Sequence, residues 1–245
     1  MDIESIFSKI DFNIKPEHDY RKAYLFRLKK GICKLVNLDK KFTFNNCILD
    51  KSVENENLKN ALLKIDSMST YAIGHLVNQI CKCLSENQIY LNIGCWKGFT
   101  LISGMINTSC KVIGVDNFSQ FDGPKNEFYL NFEKYQNKQK HSFFDEDYKV
   151  FFKNFEKKNQ KIGFYYYDGE HSYKNQYENL DIADNFLDKG SIVLIDDINF
   201  IDVEKGTKDF LNKTHSEYKV LKEIKTANNH CHPSFWNGIM ILEKL

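Results

Sequence analysis

From Ser67 onward, short apolar runs alternate with longer stretches in which apolar residues recur every three or four positions. The runs are Ile89–Ile93, Lys111–Asp116, Ser142–Asp145, Ile162–Asp168 and Ser191–Asp196, and each predicts a strand. Between them, Gly98–Asn107, Pro124–Lys138, Asp147–Lys157 and Ser172–Leu187 predict helices. Strands that are apolar throughout are buried on both faces, and strands separated by helices pair in parallel. The pattern therefore predicts an α/β chain with a mostly parallel sheet between two helical layers. A further helix is predicted over Val203–Thr214. Two last runs, Tyr218–Lys225 and Trp236–Glu243, are joined by a polar loop, as suits an antiparallel pair at the edge of the sheet. Ahead of the first strand, Ser69 or Thr70 can cap a helix reaching about Glu86, with Tyr71, Ile73, Leu76, Val77, Ile80 and Leu84 on one face.

Residues 1–66 show no such alternation. Helices are predicted over Glu17–Val36 and Leu58–Ile65, giving a mostly helical N-terminal extension ahead of a domain spanning 67–245. Composition narrows the function classes. With 34 Lys+Arg against 33 Asp+Glu, the net charge of +1 lacks the basic footprint of a nucleic-acid partner. No run approaches the length of a membrane span, and the mixed, acidic start MDIESIFSKIDF is unlike a secretory signal. Seven cysteines, an odd number without a CxxC pair, suit reduced thiols. A cytoplasmic protein is the expectation.

Candidate chemistry begins where the first strand of this domain ends, at Gly94-Cys-Trp-Lys-Gly98-Phe-Thr100. Glycines at a strand-to-helix junction permit a sharp turn and close approach of a ligand to the backbone. The second strand ends in Asp116, and an acid there can accept both hydroxyls of a ribose. Together they predict an adenosine-type cofactor across the C-terminal edge of the sheet. The second glycine is displaced relative to the dinucleotide GxGxxG, and Trp96 lies between the two, which fits a ligand without a pyrophosphate such as S-adenosylmethionine. The later strands end in Asp168 and in Asp196-Asp197. In a parallel sheet these reach the same edge. Three carboxylates together call for a compensating cation, most simply Mg²⁺ with oxygen ligands, able to bind a substrate hydroxyl and lower its pKa. His171, three residues beyond Asp168, is a candidate general base. A turn with helix caps is the structural alternative for these same residues.

Gly94-x-x-x-Gly98-x-Thr100, Val115-Asp116, Tyr167-Asp168-Gly-x-His171-Ser-Tyr173 and Asp196-Asp197 together resemble class I S-adenosylmethionine-dependent methyltransferases, nearest the macrocin O-methyltransferase-like branch. The resemblance covers roughly residues 67–245. It implies a Rossmann-like seven-stranded sheet with an antiparallel last strand. It implies donor contacts from Asn92, Gly94, Gly98, Thr100, Asp116, Asn117 and Asp168. It also implies a metal held by Asp168, Asp196 and Asp197, where catechol-type enzymes carry Asn at the third position. The reaction implied is O-methylation of a small hydroxylated molecule, a sugar or related metabolite, by a chain that forms a homodimer in such families. Asn92 departs from the family, which often has an acid there.

Other constellations carry less. His230-Cys231-His232-Pro233 has no second compact ligand pair and reads as a loop. Trp236 reads as a packing residue; Phe118, Phe121 and Phe128 are candidates to cover an adenine ring or to fill the core. There is no GxSxG, no P-loop and no Pro-Pro of the kind amine-directed nucleic-acid methylases carry. A metal-dependent hydrolase on the same carboxylates, or a non-catalytic binding protein keeping the fold, stay open as alternatives.

Overall fold

The computed structural model describes residues 2–17, 22–25, 39–155, 161–227 and 231–245. Seven strands form one sheet: β3 (Gln88–Ile93), β4 (Lys111–Val115), β5 (His141–Phe144), β6 (Lys161–Tyr167), β7 (Leu187–Asp196), β8 (Tyr218–Ile224) and β9 (Ile239–Lys244). Their order across the sheet is β5-β4-β3-β6-β7-β9-β8. The first five are parallel; β9 runs antiparallel to both β7 and β8. The expected mostly parallel sheet with antiparallel C-terminal strands is therefore present.

The strands divide their side chains between two helical layers. On β3, β6 and β7, Tyr90, Phe164, Tyr166, Ile192 and Leu194 enter one core, while Leu91, Tyr165, Tyr167, Val193 and Ile195 enter the other. That is the period of two expected of a pleated strand, with apolar residues on both faces. The first core is covered by α4 (Tyr71–Lys82) and α5 (Phe99–Met105), with Phe128 and Phe132 of α6 (Lys125–Tyr135). The second is covered by α7 (Tyr148–Asn154), α8 (Tyr173–Asp184) and α9 (Ile201–Lys213). Thr70 caps α4 as expected: its hydroxyl accepts from the Ile73 N–H.

Two boundaries differ from the pattern. The last strand starts at Ile239, because Trp236 and Gly238 hold left-handed backbone (φ +49° and +84°) and make a turn instead. The strand before α9 begins at Leu187, where the pattern predicts the end of a helix. In the N-terminal region, α1 (Ile3–Phe7), α2 (Asp39–Asn46) and α3 (Glu56–Leu62) are joined by an unexpected two-stranded antiparallel sheet, β1 (Ile10–Phe12) with β2 (Cys47–Leu49). Ile3, Phe44, Leu58, Leu62 and Ile65 pack into the first core of the large sheet. The predicted helix over 17–36 lies mostly outside the described residues. No helix among the described residues is long and apolar enough to cross a membrane.

The chain runs outward from β3 to β4 and β5, then returns to the other side of β3 as β6. Between β3 and β6 the connections part to opposite faces, which opens a crevice at the C-terminal strand ends.

Candidate active site

Gly94 stands where three strand ends meet. Its N–H donates to the Val115 carbonyl, and the Asp168 N–H donates to the Ile93 carbonyl, each at 2.9 Å. A Cβ on Gly94 would lie 1.9 Å from the Asp168 carbonyl oxygen, and its φ is +82°. Gly98 precedes α5 at φ +93°. Close packing and left-handed backbone thus account for both glycines. The loop between them is held from two sides. Underneath, the buried Thr100 hydroxyl donates to Asn92 Oδ1 at 2.9 Å, and Asn92 Nδ2 donates to the Gly94 carbonyl at 3.1 Å. From the β4 end, Asp116 Oδ2 accepts from the N–H groups of Cys95 (2.7 Å) and Trp96 (2.8 Å), and Oδ1 accepts from the Phe118 N–H at 2.7 Å. Trp96 has a φ of +45°, a conformation that costs a bulky residue about 1–3 kcal/mol.

Across the crevice, Asp168 follows β6, Asp196 ends β7 and Asp197 follows it. They do not act alike. The buried Asp196 carboxylate accepts from the Tyr166 hydroxyl (2.5 Å) and from the Asp197 N–H (2.9 Å). Asp197, at φ +58°, instead turns toward His171, whose Nε2 lies 3.0 Å from Asp197 Oδ2 and 3.5 Å from Asp168 Oδ1. That nitrogen is buried and makes no aligned hydrogen bond. Asp168, His171 and Asp197 present ligand atoms all within 4.8 Å of one another. The trio whose ligand atoms group in space is Asp168, His171 and Asp197; the Asp196 carboxylate, which accepts from Tyr166 and the Asp197 amide, lines the same cleft.

Charge is uncompensated here. Burial, then the negative fields of Asp168 and Asp197, push the Asp196 carboxyl well above the ordinary range. Burial and Asp168 lift Asp197 to about 6, against the opposing pull of His171 and Asn237. For His171, burial disfavours the imidazolium, but the surrounding carboxylates outweigh it and raise its pKa.

One cleft of about 440 Å³ is lined by Gly94, Asp116, Asn117, Asp168, His171, Asp196 and Asp197. Asn92, Gly98 and Thr100 are not among its lining residues; they act on the loop from below and behind. Of the aromatic candidates, Phe128 is fully buried and packs on Phe118 and Phe143, whereas Phe121 is 56% exposed at the cleft. His232 sits in a turn, its Nδ1 2.7 Å from the Ser234 hydroxyl, as the loop reading expects; His230 lies outside the described residues. Two contributors escape the sequence pattern. Asn237 Nδ2 donates to Asp197 Oδ1 at 2.8 Å, and the Asn199 N–H donates to the Asn237 carbonyl at 2.8 Å, so the turn before β9 fixes the turn after β7. The chain signals Asn237 only by Asn-Gly ahead of a strand. It signals Trp96 only by bulk between the glycines.

Comparison with known proteins bears on this arrangement. Residues 91–198 match a family model described as a methyltransferase domain. The fold is a methyltransferase fold. The matched segment contains the glycine loop, Asp116, Asp168, His171, Asp196 and Asp197. No curated protein matches the chain significantly. Among solved structures, cofactor-bound Rv0187 from MTB superposes with a TM-score of 0.57 at 10% identity, over 78% of this chain and 90% of that one. The O-methyltransferase from Bacillus cereus in complex with SAH gives 0.55 at 13% identity, over 78% and 92%. The O-methyltransferase TomG from Streptomyces achromogenes, in complex with SAM, gives 0.56 at 9% identity, over 78% and 90%.

Proposed function

We propose that the chain is an S-adenosylmethionine-dependent O-methyltransferase acting on a small hydroxylated molecule. The observation that carries this reading is the sharing of one cleft by the Gly94 loop, Asp116 and the Asp168–His171–Asp197 cluster. The matched family and the SAH- or SAM-bound neighbours support it. Asp116 and the loop N–H groups form the wall for the donor's nucleoside, with Asn117 beside them. Methyl transfer by in-line displacement needs the acceptor oxygen aligned and its proton removed. Asp168, His171 and Asp197 stand where that oxygen would be received, opposite the donor wall.

A divalent cation fits this cluster. A buried imidazole nitrogen without an aligned hydrogen bond faces two carboxylates, and burial, then the charge of Asp168, raises the pKa of both Asp196 and Asp197. Asp168, Asp196 and Asp197 would supply the oxygen ligands that a hard ion prefers, with His171 beside them. Such an ion, Mg²⁺ most simply, supplies Lewis acidity that lowers the pKa of a hydroxyl bound to it. If no ion is required, His171 is the proton acceptor, and Asp197 orients its ring. Activity in excess EDTA decides between the two roles.

Isothermal titration with S-adenosylhomocysteine tests the reading as a whole. Wild-type protein binds it, and Asp116→Ala weakens binding at least tenfold, because both the ribose acceptor and the anchor of the loop are lost. Absence of binding to the wild type sinks the proposal.

A further inference from the structure

Both tryptophans of the chain line the cleft, and both hold left-handed backbone. Trp236 is 9% exposed and belongs to the core. Trp96 is half-buried and stands between the two glycines of the loop, where a third glycine would adopt the same backbone without strain. Strain held in place by several restraints is a mark of functional positions, and Trp96 has three. Its N–H is bound by Asp116. Its indole N–H donates to the Phe121 carbonyl at 3.4 Å. The Lys97 ammonium lies 4.7 Å from the ring centroid, itself fixed by Asp66 at 3.2 Å and Glu127 at 3.4 Å.

We propose that Trp96 is a donor-binding residue whose indole encloses the nucleoside end of the ligand beside Asp116, an inference that rests on the methyltransferase reading. The ring spans the gap between the glycine loop and the segment 117–123, the two stretches of backbone that hold the Asp116 carboxylate. Lys97 already draws on the negative face of the ring, so a second cation such as a sulfonium would gain little from it. The uncharged sugar edge is the part of the ligand this wall suits.

Trp236→Phe leaves Trp96 as the sole tryptophan, so that its fluorescence reports the loop alone, and affinities are compared within that background. S-adenosylhomocysteine should shift or quench the Trp96 emission. Adding Trp96→Gly should leave the melting temperature unchanged or raised, since glycine relieves the backbone, while weakening S-adenosylhomocysteine at least tenfold. Trp96→Phe should recover the affinity to within about threefold. Should the Trp236→Phe protein fail to fold, the difference spectrum between wild type and Trp96→Phe supplies the same signal. The inference is overturned if Trp96→Gly binds as tightly as its parent, if saturating ligand leaves the Trp96 emission unchanged, or if affinity falls only together with the melting temperature. Failure of the wild type itself to bind would strike the methyltransferase reading instead.

Discussion

Two acid sites in this chain have opposite electrostatics, and the better-served one is the less buried. Asp184, at the end of α8, is 16% exposed, and its carboxylate is fully served: Lys244 Nζ lies 2.7 Å from Oδ1, the Tyr218 hydroxyl donates to Oδ1 at 2.7 Å, and the hydroxyls of Ser216 (2.8 Å) and Thr214 (3.0 Å) donate to Oδ2. Burial opposes its ionisation, but those partners outweigh burial and hold its pKa low. Asp197, at 8% exposure, has Asn237 on one oxygen and shares its surroundings with two further carboxylates and one imidazole, and its pKa is raised. The same residue type thus ties α8 to β8 and β9 in one place and stores repulsion in the other. Asp184 is fully served by its neighbours, whereas the cleft aspartates crowd around a single imidazole, and acids perturbed in this way cluster at functional sites.

The largest expected effect breaks the pair of sites apart by activity. With any hydroxylated acceptor that the wild type turns over, followed as S-adenosylhomocysteine release, Asp197→Ala should lower kcat/KM by about 1,000-fold, roughly 4 kcal/mol of transition-state stabilisation. Asp184→Ala should retain kcat/KM within about threefold. Equal losses in the two variants would mean that the cleft acids are structural like Asp184.

Stability should rank the sites the other way. Removing one partner of a buried ion pair strands the other, at about 3 kcal/mol. Asp184→Ala takes the counter-charge from Lys244, which keeps only the Asp184 and Leu187 carbonyls, and the acceptor from the Tyr218, Ser216 and Thr214 hydroxyls. Its urea unfolding midpoint should fall accordingly, with S-adenosylhomocysteine affinity unchanged in conditions where the protein stays folded. A loss under about 0.5 kcal/mol would show that the satisfied site is electrostatic ornament only.

The contrast also explains which residues declare themselves in the amino-acid sequence and which do not. Uninterrupted apolar runs such as Ile162–Tyr167 reveal a central strand because burial on both faces leaves no room for alternation. That Gly94, Asp116, Asp168 and Asp197 share one rim is legible because parallel topology carries strand ends to the same edge. The roles of Asp184 and Asn237 are not, since each depends on partners that meet it only in space: Lys244 from the last strand, and Asp197 from across a turn. The hydrogen bond from the Tyr166 hydroxyl to Asp196 is equally hidden, because it joins two strands far apart in the chain. The pairing of β1 with β2 involves three residues on each side, too few to leave a periodic trace.

The smallest expected effect sharpens the comparison through pH. Asp197 has a folded pKa of about 6, above the value near 3.9 of an unfolded aspartate. Holding it ionised therefore costs the native state stability, a cost absent below the unfolded value, growing as pH rises from there to about 6 and level above it. Asp197→Asn removes that charge, and should stabilise the metal-free protein by about 1 kcal/mol at pH 8 while changing little near pH 4. Asp184 has the opposite sign. Its lowered folded pKa contributes stability that is present above the unfolded value and lost as pH falls through the folded one, so Asp184→Asn should destabilise at pH 8 and progressively less in acid. Melting temperatures of the two variants against pH should diverge toward alkaline conditions, one above the wild type and one below. Under the proposed cation role, saturating Mg²⁺ should shrink only the Asp197→Asn advantage, because the ion would supply to the wild-type cleft the positive charge that Lys244 supplies to Asp184. Curves that stay parallel across the range would place both aspartates in the same electrostatic state and remove the distinction between a completed site and a waiting one.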